Sequence, residues 1–117
     1  MLPANEKNNL DDYHLLISEN RLNEAENYLR GILQQNANRA DVLFELGNVS
    51  QRKLAHLAAI EYYQRTLDVN PEHLQARLFL SGSLQELGQF EEATEQIKKA
   101  LEQDPENALA HHALGVN

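Results

Sequence analysis

The sequence predicts an all-α fold built as a stack of antiparallel helix pairs. Three observations carry that prediction. The first is a repeat: Pro71 and Pro105 are 34 residues apart, and so are Ala59 and Ala93, and Leu46 and Leu80. The second is shape. The segments "ELGNVSQRKLAHLAAIEYYQRTLDVNPEH" and "FLSGSLQELGQFEEATEQIKKALEQDPEN" each carry a helix-period stretch. In both, a second stretch follows and ends at Asn-Pro or Asp-Pro. The third is composition. Between Gly47 and Pro71 there are many helix formers and no internal glycine or proline.

The repeat extends beyond those two segments. One period before Ala59, Ala25 sits in "NRLNEAENYLRGILQQNAN", which has the shape of a second stretch. One period after Leu80, Leu114 sits in "ALAHHALGVN", which has the shape of a first stretch. The units therefore run over about 6–39, 40–73 and 74–107, and 108–117 begins a fourth. A chain of 117 residues fits one domain, so 1–117 is expected to be a single one.

This spacing and these residues resemble the tetratricopeptide repeat family. That family favours a large residue, then Leu-Gly, an aromatic, Ala, an aromatic, Ala and Pro at fixed offsets. Unit 40–73 supplies Leu43, Leu46, Gly47, Ala59, Tyr63 and Pro71, and departs at Ser50 and Thr66. Unit 74–107 supplies Leu80, Ser81, Ala93, Ala100 and Pro105, with Phe90 opening its second helix, and departs at Arg77. Unit 6–39 fits through Ala25, but Asp12 and Tyr13 replace Leu-Gly and Ala37 replaces Pro. The resemblance covers nearly the whole chain and implies a right-handed α-solenoid whose units each hold a helix A and a helix B.

The physics of each element agrees. Gly47, Ser81, Ala59 and Ala93 are small enough to let A and B approach closely. Pro71 and Pro105 end helix B, because proline restricts the residue before it and cannot continue the ladder. Gly88 falls at the A–B turn of its unit, where a left-handed residue is wanted. Asn20, which tolerates that conformation, falls there in the first unit. One period before Gly88 stands Leu54, so a turn is expected around Leu54–Ala55 against local propensity. The competing arrangement is one helix over about 41–69, roughly 40 Å long, which would splay the units apart.

The resemblance also places A-helix positions in a concave groove. In the first unit they are Lys7, Leu10, Asp11, His14, Ile17 and Ser18. In the second they are Asp41, Phe44, Glu45, Asn48, Gln51 and Arg52. In the third they are Gln75, Leu78, Phe79, Gly82, Gln85 and Glu86, and the fourth helix adds Leu109, His112 and Ala113. Phe44, Leu78 and Phe79 are large and apolar there, which marks either an interaction surface or inter-repeat core. Asn48 and Gln51 could hydrogen-bond the main chain of an extended peptide.

The function implied is a protein–protein interaction scaffold that takes a peptide or helix of a partner. Relatives that hold Glu-Glu-Val-Asp chaperone tails clamp carboxylates with Lys, Asn and Arg. The matching positions here are Leu10, His14, Glu45, Gln75 and Phe79, or one unit later Phe44, Asn48, Phe79, Leu109 and Ala113. Only Asn48 fits, and Glu45 would repel a carboxylate. A partly apolar ligand with some positive charge suits Asp11, Asp41, Glu45 and Glu86 better.

Other classes find no support. Net charge is −8, which disfavours nucleic acid and anionic membranes as partners. No apolar run approaches a membrane span, and the opening "MLPANEKNNLDD" does not read as a signal peptide, so a cytoplasmic protein is expected. With no cysteine, thiolate chemistry is excluded. No phosphate loop or G-x-S-x-G motif is present, and His111 and His112 point about 100° apart on a helix. No enzyme, cofactor or metal is expected. "NVS" at 48–50 matches a glycosylation sequon but lies in an expected helix. In "FEEATEQIKKALEQ" Glu95 precedes Lys99 by one helical turn, as on a solvated outer face. Helix 108–117 leaves one side bare, with apolar Ala110, Ala113, Leu114 and Val116. Either further repeats or another domain follow, or the end closes by self-association; "HHALGVN", which starts a unit without finishing it, favours the first. The alternative functions are thus a homo-oligomerisation module and the substrate-recruiting N-terminal arm of a larger enzyme.

Overall fold

The computed structural model describes residues 10–114, and these form seven helices. They are α1 (Asp11–Ser18), α2 (Leu22–Gln35), α3 (Ala40–Arg52), α4 (His56–Val69), α5 (Leu74–Glu86), α6 (Phe90–Gln103) and α7 (Ala108–Leu114). Successive helices pack as neighbours into an elongated body of 52 × 25 × 20 Å. No strand occurs among the described residues. Lys7 and Val116, named above, lie outside them.

The A helices α1, α3 and α5 end in the same way. Asn20, Leu54 and Gly88 have φ of 57°, 60° and 78°. In each case two N–H groups fold back onto the helix. Asn20 N–H donates to the Ile17 carbonyl and Arg21 N–H to Leu16. Leu54 N–H donates to Gln51 and Ala55 N–H to Ser50. Gly88 N–H donates to Gln85 and Gln89 N–H to Leu84. This is the Schellman arrangement, which satisfies the last carbonyls of a helix and needs a left-handed residue. Leu54 accepts that conformation at a cost of about 1–2 kcal/mol, a cost glycine avoids. The long 41–69 helix therefore does not form: the pairing of α3 with α4 overrides local propensity.

The links from B to the next A also repeat. Asn36 Oδ1 accepts from Asn38 N–H at 3.1 Å, and Asn70 Oδ1 accepts from Glu72 N–H at 3.1 Å. These side-chain turns release the chain from helix and stand just ahead of Ala37 and Pro71. The A helices then start differently. His73 Nδ1 accepts from Ala76 N–H at 3.1 Å, and Asn107 Oδ1 accepts from Ala110 N–H at 2.8 Å. Arg39 offers α3 no side-chain cap, and Asp41 Oδ1 instead takes the Val42 N–H at 2.9 Å.

Three apolar clusters run along the body. The first joins Tyr13, Ala25, Leu29 and Ile32 to Val42, Leu46 and Val49. The second joins Phe44, Ala59 and Tyr63 to Ala76, Leu80, Leu84 and Ala93. The third joins Leu78, Ile97, Ala100 and Ala110. Ala25, Ala59 and Ala93 are buried at the one-period spacing and hold successive A–B contacts close. The closest approach involves Gly47, where an added Cβ would lie 2.4 Å from Tyr63 Cε1. Residues that depart from the family pattern are absorbed by hydrogen bonds. Ser50 Oγ donates to the Leu46 carbonyl and Thr66 Oγ1 to Tyr62, each at 2.8 Å. Arg77 ties α5 to its surroundings through Gln96 Oε1 at 2.8 Å and the Pro71 carbonyl at 2.9 Å.

Candidate functional site

A groove of about 530 Å³ opens where α1, α3 and α5 lie side by side. Helix α1 contributes Tyr13, His14 and Ile17, and α5 contributes Phe79. Between them α3 forms the floor with Glu45, Asn48, Gln51 and Arg52. These α3 residues recur at three- and four-residue intervals, so one helix face carries all of them.

The polar groups on this floor are held in fixed directions. Tyr13 Oη donates to Glu45 Oε1 at 3.1 Å, and Asn48 Nδ2 donates to the same oxygen at 2.9 Å. Asn48 Oδ1 accepts in turn from Tyr63 Oη at 2.6 Å. Burial, with the negative charge of Glu45 added, raises the pKa of both tyrosines, so the phenols stay protonated and act as donors. Gln51 Nε2 crosses to α5, donating to the Phe79 carbonyl at 3.2 Å and to Ser83 Oγ at 2.8 Å. The amides of Asn48 and Gln51 are thus partly occupied within the chain. Gln51 Oε1, the second Asn48 N–H and Glu45 Oε2 are left without a hydrogen-bond partner among the described residues. Arg52 is exposed and forms no ion pair with a described carboxylate.

An aromatic cluster stands behind this wall. The Phe44 ring stacks on Phe79 with centroids 5.4 Å apart and meets Tyr63 at 5.8 Å and His73 at 4.6 Å. Tyr63 meets Phe79 edge-on at 6.1 Å. Desolvation among these groups lowers the His73 pKa, which suits an imidazole whose Nδ1 accepts a hydrogen bond.

The groove positions named from the sequence divide into three groups. His14, Ile17, Glu45, Asn48, Gln51, Arg52 and Phe79 come together around the cavity. Phe44 and Leu78, 9% and 7% exposed, are instead packed between helices as inter-repeat core. Neighbouring elements cover them: Phe79 and His73 close over Phe44, while Ile97 of α6 and Ala110 of α7 pack with Leu78. Leu10 packs half-buried against the first cluster, and Asp41 pairs with Arg39 at 2.5 Å beside the start of α3. Gly82 is half-buried, with open space where a side chain would stand. The repeat pattern assigns no groove role to Tyr13, yet its hydroxyl orients Glu45. The signal was its place one period before Gly47: a tyrosine cannot fit a glycine's contact and must send its hydroxyl elsewhere.

No group of three or more His, Cys, Asp or Glu residues that could hold a metal occurs among the described residues. No helix among them is long and apolar enough to cross a membrane.

Paired helices, repeated left-handed turns and a groove along the A helices define a helical-repeat protein. A sequence profile described as tetratricopeptide repeat matches residues 55–115, just over half of the chain, and the chain belongs to that family. No curated protein sequence matches it. Among solved structures, the Arabidopsis OM64 TPR domain superposes with a TM-score of 0.82 at 17% identity, covering 88% of this chain and 85% of that one. The first TPR of Spaghetti (RPAP3), bound to the HSP90 peptide SRMEEVD, superposes with a TM-score of 0.85 at 15% identity, covering 90% and 83%. YrrB, a TPR protein described as having an unusual peptide-binding site, superposes with a TM-score of 0.81 at 21% identity. The match covers 89% of this chain and 54% of that one. At these identities the likeness is one of fold.

Proposed function

We propose that this chain is a protein-interaction module that holds an extended segment of a partner protein in the groove between α1, α3 and α5. The observation that carries the reading is the groove itself. Three successive A helices build it, and its floor presents polar groups fixed by hydrogen bonds beside the apolar surfaces of Ile17 and Phe79. Pre-set groups of this kind lower the ordering cost of binding. The reading treats 1–117 as one domain and assigns it no catalysis.

Photo-crosslinking tests the face in use. A benzophenone side chain replaces His14 in the groove in one variant and Lys98, exposed on α6, in another. Crosslinked partner is expected from the His14 position alone. Crosslinking from Lys98 alone transfers the interaction to the outer face.

The ligand reading disfavours carboxylate-rich tails. SRMEEVD, the peptide held by one structural neighbour, ends in acidic residues. Glu45, oriented by Tyr13 and Asn48, opposes such a ligand. Titration with that peptide is expected to give no saturable binding. A second reading rests on Leu109, which is 53% exposed on α7. An apolar residue so placed favours self-association there, which sedimentation over a concentration series would register.

A further inference from the structure

The groove floor carries one charge of each sign, and their spacing specifies a ligand. Glu45 and Arg52 are seven residues apart on α3, two helical turns, so they share one face and lie about 10 Å apart along its axis. Tyr13 and Asn48 both bond to Glu45 Oε1, which leaves Oε2 without a hydrogen-bond partner among the described residues. Arg52 is exposed at the other end of the same cavity, with no described carboxylate to neutralise it. The two charges sit in a channel walled by Ile17 on one side and Phe79 on the other.

A peptide in the polyproline II conformation has three residues per turn and advances about 9 Å in three residues. Its residues one and four point the same way, at nearly the spacing of Glu45 and Arg52. The two residues between them point to either side, toward the walls at Ile17 and Phe79. A β-strand covers a similar length in three residues, but its first and fourth side chains point to opposite faces. An α-helical ligand spans only about 4.5 Å in three residues.

We infer that the groove selects an extended peptide segment in which Lys or Arg stands three residues from Asp or Glu, with two apolar residues between them. The basic residue lies against Glu45 and the acidic residue against Arg52. This rests on the groove reading proposed above and adds to it a sequence pattern and a backbone conformation. Complementary charges placed this way set register and exclude partners of the wrong sign.

The test selects peptides from a displayed library of random heptapeptides against the whole chain. Binding of the enriched peptides is measured by fluorescence polarisation, and their site is mapped by amide chemical shifts. The Arg52→Glu variant probes the acidic position. Arg52 is exposed, and circular dichroism checks the fold. Expected are peptides with opposite charges three residues apart that move amides of α1, α3 and α5. They should lose about tenfold or more in affinity for Arg52→Glu, a like-charge penalty. Replacing the peptide's acidic residue with Lys should restore binding to that variant. Peptides that map to the groove without the charge pattern, or are indifferent to Arg52→Glu, overturn this inference and leave the groove reading standing. Peptides that map elsewhere, or a selection that enriches none, overturn both.

Discussion

The second helix pair, α3 and α4, and the third, α5 and α6, occupy equivalent places in the repeat but are packed on different terms. In the second pair a glycine faces a tyrosine: Gly47 lies against the Tyr63 ring, whose hydroxyl reaches past it to Asn48. One period later the same positions hold Ser81 and Ile97, both buried, and Ser81 Oγ turns back to the Leu78 carbonyl at 2.6 Å. A large ring with a small partner and two mid-sized residues fill comparable space. Only the first solution carries a polar group through the core to the groove. The second pair therefore couples its A–B contact to the candidate site, whereas the Ser81–Ile97 contact of the third does not reach it.

Substitutions that break this contrast should differ most at Gly47. Gly47→Ala would place a methyl against a buried ring that Asn48 holds in position. A loss of about 2 kcal/mol is expected from overpacking, net of the better helix propensity of alanine. Ser81→Ala should cost under about 1 kcal/mol, since only a local hydroxyl bond goes. Urea denaturation measures both, and equal losses would show that the second pair is no tighter than the third.

Tyr63→Phe keeps the ring and removes the link to the groove. It should cost about 1 kcal/mol, because Asn48 Oδ1 loses its donor. Amide shifts should move at Asn48 and Glu45. Shifts confined to α4 would mean that core and groove are uncoupled.

The turns sharpen the comparison with opposite signs. Gly88→Ala should destabilise by about 1 kcal/mol, since alanine resists a φ of 78°. Leu54→Gly should stabilise by up to about 1 kcal/mol, because it relieves the same strain at a position 75% exposed, where little burial is lost. Melting both variants beside wild type gives the two signs directly.

The smallest effect concerns pH. His73 is neutral in the folded chain and its folded pKa is lowered, chiefly by desolvation. Its contribution is present above its ordinary value near 6.5 and is lost as pH falls toward the lower folded value. His73→Asn can cap α5 without titrating, so its melting temperature should fall less between pH 7 and pH 5.

The fold was legible because it repeats. Leu54 illustrates this: nothing local marks it as a turn, yet subtracting one period from Gly88 finds it. The angular placement of groove residues was legible for the same reason, and it brought His14, Glu45, Asn48, Gln51 and Phe79 to one cavity. Depth was not legible. Phe44 and Leu78 hold groove-side positions on their own helices, but neighbouring elements in the stack cover them. The bonds that orient Glu45 were hidden too, since they join residues 32 and 3 positions apart through particular rotamers.

One consequence concerns force. The backbone contacts join mostly each helix to its neighbour in order, and side chains such as Tyr13–Glu45, Gln51–Ser83 and Phe44–Phe79 reach one helix further. A chain stacked this way has no clasp between distant segments, so its stability is a sum of adjacent interfaces. Pulled from its ends, it should lengthen in steps of one helix pair. The interlocked Gly47–Tyr63 contact makes α3 and α4 the pair to yield last, so under tension the groove floor should outlast the helices on either side of it.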